Sequence, residues 1–114
     1  MKEIKAFVRP DRLTAIVDHL HLEGVCCLTV FEGMGTGHYT DDQKDFPSLK
    51  HPFFHSKIAK LETVVPDYRV EKTLEIIHEN GKTGYAGDGI IYITEVLEMV
   101  KVKTLKPDPE NCDA

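Results

Sequence analysis

Ile58-Ala59-Lys60-Leu61-Glu62-Thr63-Val64-Val65-Pro66-Asp67 decides how this chain folds. Ile58, Lys60, Glu62 and Val64 fall on one side of an extended segment, and Ala59, Leu61, Thr63 and Val65 on the other. Residues 58–65 therefore read as a strand. Pro66 stops it, and Asp67 is a residue type that caps a helix start. Val70, Leu74 and Ile77 recur at helical spacing and predict a helix from about Tyr68 to Glu79, closed by Asn80-Gly81. Upstream, Val25 to Glu32 reads as a mostly apolar strand covered on both sides. No helical pattern separates these two strands, so two strands in succession precede the helix.

Working outward, Ile4, Ala6 and Val8 alternate with Glu3, Lys5 and Phe7 in a first strand that ends at Arg9-Pro10. Pro10 suits the first turn of a helix. Leu13, Ile16, Val17 and Leu20 form one helical face running to Gly24, which suits a left-handed closing position. A fourth strand is expected from Ile90 to Glu95, and a short extended piece over Val100-Lys101-Val102-Lys103. The order strand, helix, strand, strand, helix, strand is that of the α+β ferredoxin-like βαββαβ sandwich. Residues 1–104 form the domain, and 105–114, with two prolines and three acids, read as a flexible tail. Two helices cover one sheet face. The apolar runs Val25–Val30 and Leu61–Val65 leave little to wet the other, which implies an oligomer covering it.

Composition narrows the functional classes. The chain has 114 residues, a net charge of −5 and no basic run, which argues against nucleic acid as a partner. No apolar window spans a bilayer and Met1–Lys5 opens no signal segment, so a cytoplasmic protein without membrane insertion is expected. Cys26, Cys27 and Cys112 lack metal-type spacing, and adjacent Cys26 and Cys27 would point to opposite faces of a strand, with at least one buried. No nucleophile–base pair or paired carboxylates stand out, so the chain reads as no enzyme.

Two loops carry the chemistry. Thr83-Gly84-Tyr85-Ala86-Gly87-Asp88-Gly89 packs three glycines and an aspartate between helix and strand. Glycines allow close approach of a ligand, and successive N–H groups in such a loop suit an anion, although an ordinary tight turn has the same composition. Residues 33–56 form a long polar connection of the kind that is functional or mobile. It holds Phe46, Phe53 and Phe54, which suit either docking on a partner or folding back. It also holds His38, His51 and His55, the basis of an alternative reading as a metal-binding module; no carboxylate or thiolate completes that set.

The chain resembles the PII-type nitrogen-regulatory signalling proteins. The matching pieces are Ile4-Lys5-Ala6 with Arg9-Pro10, Gly24-Val25, Leu28-Thr29-Val30, Lys60-Leu61-Glu62 with Val64-Val65-Pro66-Asp67, and Thr83-Gly84 with Gly87-Asp88-Gly89. The resemblance implies a homotrimer whose sheets line a central barrel, with an adenine nucleotide in the cleft between subunits. It places Thr29, Glu62 and Val64 at the adenine pocket and Phe7 at the matching first-strand position. Gly87, Asp88 and Gly89 fall at the phosphate side, Gly35, Thr36, Gly37 and His38 at the base of the long loop, and Lys101 and Lys103 where two arginines usually reach the phosphates.

The departures from the family pattern shape the expectation further. Ile90 stands where a phosphate-binding lysine is usual, and His38-Tyr39 stand where Arg-Gln is usual, so the glutamine ligand for magnesium and 2-oxoglutarate is missing. Ile58 replaces another lysine, and His51 replaces the tyrosine that some members have uridylylated. Each charge-assisted phosphate contact contributes roughly 1.5–3 kcal/mol, so the expectation is AMP or ADP over ATP, without 2-oxoglutarate. Bicarbonate is a candidate second ligand. The implied role is control of a partner protein, a transporter or an enzyme linked to carbon metabolism or transport, through residues 33–56.

Overall fold

The computed structural model describes residues 1–40 and 55–109. Strands β1 (Lys2–Val8), β2 (Thr29–Gly35), β3 (Ser56–Val65) and β4 (Ile90–Glu95) form one sheet in the order β2-β3-β1-β4. All three pairings are antiparallel. Helices α1 (Leu13–Leu22) and α2 (Val70–Gly81) pack together on one face, each entered through a 3-10 turn, Pro10–Arg12 and Asp67–Arg69. The chain therefore has the ferredoxin-like βαββαβ architecture expected from its strand order.

Period-two alternation fixes which side of each central strand is buried. Ile4, Ala6 and Val8 of β1 and Ala59, Leu61, Thr63 and Val65 of β3 all face the helices and are buried. They meet Ile16 and Leu20 of α1 and Ile76 and Ile77 of α2 in one core. A one-residue slip of either strand would turn this set outward, so the apolar pattern pins the register.

Both helix ends are closed by backbone geometry. The Val25 amide donates to the Leu20 carbonyl at 2.9 Å and the Gly24 amide to the His21 carbonyl at 3.1 Å, the paired bonds of a Schellman closure. Gly24 has φ +87°, and a Cβ there would lie 3.0 Å from Arg69 Nη1. That guanidinium donates to the Glu23 carbonyl at 2.6 Å and so ties α1 to the start of α2. Gly81 ends α2 for another reason: a Cβ would lie 3.3 Å from Ile16 Cδ1, so the missing side chain lets the helices approach.

Several expectations need correction. β2 begins at Thr29 rather than Val25, and Cys26 and Cys27 lie outside any strand, both exposed. β2 also runs on through Gly33 to Gly35, and Ser56 opens β3, so the connection between them is shorter than 33–56. Residues 41–54, with His51 and the three loop phenylalanines, lie outside the described residues, as do 110–114. Asp67 caps no helix; its carboxylate pairs with the Met1 amino group at 3.2 Å. Val100 to Lys103 is no strand but opens a turn whose return leg bridges Pro107 to Val100. The tail is accordingly ordered at its start: the Asp108 amide donates to the Met99 carbonyl at 2.8 Å, and Asp108 is buried.

The face away from the helices is more polar than the apolar runs suggested. Its centre carries Glu3, Lys5, Lys60 and Glu62, with Lys60 Nζ 3.0 Å from Glu62 and Lys5 Nζ 3.9 Å from both Glu3 and Glu62. On this face the edge strands carry exposed Phe31 beside Lys60 and Tyr92 beside Lys5, whereas exposed Val30, Met34 and Ile93 lie on the helix side. Gly24→Ala forces a Cβ into a left-handed backbone and against Arg69, and should lower stability by about 1–2 kcal/mol in urea denaturation with the fold retained.

Candidate functional site

The loop between α2 and β4 is built around one carboxylate. Asp88 Oδ2 accepts from the Thr83 amide at 2.8 Å and the Gly84 amide at 3.0 Å. Its Oδ1 accepts from Arg9 Nε at 3.0 Å and from the Thr83 hydroxyl. Arg9 Nη2 also donates to the Ala86 carbonyl. Partial burial opposes ionisation, but the bonds from Thr83, Arg9 and Gly84 overcome it and hold the Asp88 carboxyl far below the usual carboxylate range. The Asp88 carboxylate thus points into the loop and braces it.

Two glycines let the loop lie flat against the first strand. Gly89 has φ +100°, and a Cβ on it would fall 1.8 Å from the Phe7 carbonyl oxygen, so no other residue fits without moving the backbone. This approach starts β4 at Ile90, paired with Phe7. Gly87 has φ +92°, with the Tyr39 carbonyl 3.1 Å and Arg9 Nη2 3.3 Å from its would-be Cβ. The Gly87 amide has no hydrogen-bond partner among the described residues.

The end of β2 folds onto this loop. Gly35 and Thr36 lead into a 3-10 turn, Gly37–Tyr39, which contains His38. A Cβ on Gly35 would lie 2.6 Å from Tyr39, so the glycine makes room for that ring. The Tyr39 ring packs tilted against Phe7 with 5.7 Å between ring centres, and Tyr92 meets Phe7 edge-on at 5.5 Å. Burial, and then the neighbouring Tyr92 hydroxyl, push the Tyr39 phenol above its usual range. Thr40 closes the turn by donating to the Gly37 carbonyl at 2.9 Å.

Of the residues expected at a site, Phe7, Gly87, Asp88 and Gly89 thus gather at the start of β4, while Gly35, Thr36, Gly37 and His38 lead to Tyr39, whose carbonyl faces Gly87. Phe7, Asp88 and Gly89 also line a hollow of about 120 Å³ with Lys82 and Ile90. Thr29, Glu62 and Val64 form a second group, in a hollow of about 480 Å³ with Glu3, Cys27 and Met99. Lys101 and Lys103 stand in the turn that follows Met99, and neither lines this hollow. The two groups line different hollows of the one chain.

Sequence reasoning missed Arg9, Thr83, Tyr39 and Tyr92. Arg9 and Asp88 are 79 positions apart, and no local pattern announces that pairing. Thr83 carried a signal: a hydroxyl residue opening a glycine-rich loop that ends on an aspartate suits a side-chain-closed turn. The metal alternative depends on His51, which lies outside the described residues. Among the described residues no group of three His, Cys, Asp or Glu side chains is placed to hold an ion. Among them also, no helix is long and apolar enough to cross a membrane.

A ferredoxin-like sheet with a glycine loop braced on its first strand, and an unpaired amide in that loop, defines a small α+β domain suited to an anionic ligand. The sequence model of the nitrogen regulatory protein P-II family matches residues 1–106. Nitrogen regulatory protein P-II 1 of Methanothermobacter thermautotrophicus is 32% identical over 91% of this chain and 90% of its own. The P-II protein of Azospirillum brasilense is 32% identical over 91% and 93%, and that of Haemophilus influenzae 31% over 100% and 99%. The chain belongs to the nitrogen regulatory protein P-II family. Members of that family are regulatory signalling proteins.

Because folding favours ionised Asp88, its contribution to stability is complete above the ordinary carboxylate pKa of about 3.9 and is lost as pH falls below it. Asp88→Asn should cost roughly 1–3 kcal/mol at neutral pH, and the gap between variant and wild type should narrow below about pH 4 in urea titrations.

Proposed function

We propose that this chain is a P-II-type sensor that binds an adenine nucleotide between subunits of a homotrimer. Family members in general bind adenine nucleotides, assemble as homotrimers and regulate partner proteins. In this reading Thr29, Glu62, Val64, Lys101 and Lys103 of one subunit take the base side and reach the phosphates. Phe7, Gly35, Thr36, Gly37, His38, Gly87, Asp88 and Gly89 of the neighbour supply the phosphate side. The observation that carries the reading is the braced glycine loop, whose Gly87 amide has no partner among the described residues. The separation of the two groups into different hollows supports a site completed by a second copy.

Phosphate number follows from charge. Ile90 opens β4 at the end of the loop, with an apolar side chain beside Phe7, so no cation extends from that position toward a terminal phosphate. AMP and ADP are therefore the favoured ligands over ATP, and 2-oxoglutarate is not expected. The segment between β2 and β3 is the element we assign to a partner, a transporter or an enzyme in carbon- or transport-linked regulation. It follows directly from the 3-10 turn that packs on the nucleotide loop, so ligand at the loop and partner at the segment share a support.

Calorimetric titration of the full chain with AMP, ADP and magnesium-ATP is the test. AMP and ADP should bind more tightly than ATP, native mass spectrometry should show a trimer, and failure of all three nucleotides to bind would overturn the nucleotide reading.

A further inference from the structure

We infer that Cys26 and Cys112 form a clasp, a disulfide that holds the end of the chain against the body and is opened by thiols. The clasp stands apart from the nucleotide reading. Cys26 is disulfide-bonded, whereas its neighbour Cys27 is not. The chain has one other cysteine, Cys112, which lies outside the described residues. Elimination therefore leaves Cys112 as the partner of Cys26.

The described part of the tail brings the two cysteines within reach. After Met99 the chain turns back on itself. The Lys101 amide donates to the Lys106 carbonyl at 2.9 Å, the Leu105 amide to the Lys101 carbonyl at 2.8 Å, and the Asp108 amide to the Met99 carbonyl at 2.8 Å. Pro107 bridges Val100, and Asp108 is buried, so the return leg ends beside Met99. Met99 and Cys26 line the same hollow, together with Thr29, Glu62 and Val64. Cys112 is four positions beyond Asp108. Four residues span up to about 14 Å, enough to bring its Cα to the roughly 4.4–6.8 Å from Cys26 that a disulfide needs.

The bond closes a ring from residue 26 to residue 112 that takes in β2, β3, α2 and β4. It also gives the turn carrying Lys101 and Lys103 a second anchor besides the Asp108–Met99 bond. Cys26 is exposed, so an attacking thiolate can reach it. Closing the clasp oxidises two thiols. A small disulfide such as oxidised glutathione takes up the two electrons and two protons and leaves as two thiols, and reduced glutathione runs the exchange backwards.

The test equilibrates the full chain in reduced or oxidised glutathione, maps linked peptides by mass spectrometry without reduction, and follows thermal melts and amide hydrogen exchange. In oxidised glutathione, wild type and Cys27→Ser should link the peptide holding Cys26 to that holding Cys112, and Cys26→Ser and Cys112→Ser should show no such link. Oxidised wild type should melt at least about 5 °C above reduced wild type, because the closed ring restricts the unfolded chain. The amides of Lys101, Leu105 and Asp108 should exchange about tenfold more slowly in the oxidised form. Cys112→Ser should melt alike in both buffers. No link in oxidised glutathione, a link through Cys27, or a link found only between two chains overturns the proposal. So does a link that survives excess reduced glutathione, or one that leaves melting and exchange unchanged.

Discussion

The bond between Arg9 and Asp88 joins three elements that are remote in sequence. Arg9 ends the first strand, Asp88 precedes the last, and Thr83 and Gly84, which donate to the same carboxylate, follow the second helix. Without a negative charge at Asp88, two main-chain amides, a hydroxyl and a guanidinium would lose their common acceptor. Part-buried donors left unpaired cost more than the net gain of making each bond, so the carboxylate holds the loop by the penalty of its absence. The Gly89 approach to the Phe7 carbonyl then sets where β4 begins pairing.

The layering of the fold was legible because it depends on periodicity. Strands β1 and β3 alternate cleanly, and one of the two faces read for each is the buried one, since a sheet with one covered face admits a single phase. Helix closure at Gly24 was legible for an equally local reason, a residue without a Cβ where the backbone turns left-handed. Failures came where composition misled about neighbours. Val25 to Leu28 is apolar enough for a strand, yet the chain spends it leaving the helix, with Val25 in the core and Cys26 and Cys27 outside. Val100 to Lys103 alternates like a strand but turns back, held by bonds from Lys101 to Lys106 and Leu105 that no period encodes.

The candidate site divides in the same way. Glycines 87 and 89 were legible, because only glycine suits a close main-chain approach in a loop between helix and strand. Asp88 was legible as a member of the loop but not as its brace, since that role needs Arg9, whose neighbourhood is set by the β1–β4 pairing. Tyr39 gave no signal at all. It follows a glycine-rich stretch with no periodic partner, and its place against Gly35 and Phe7 exists only after the sheet brings β2 and β1 into one surface.

That surface brings the glycine loop and the end of β2 into direct contact. The Phe7 ring meets both Tyr39 and Tyr92, which neighbour each other, while the Phe7 carbonyl faces Gly89. A ligand that shifts the glycine loop by even a fraction of an ångström therefore presses on a close-packed group that includes the first ordered turn after β2. Packed aromatic groups leave few alternative arrangements, so Tyr39 cannot yield to such a shift without moving against Phe7.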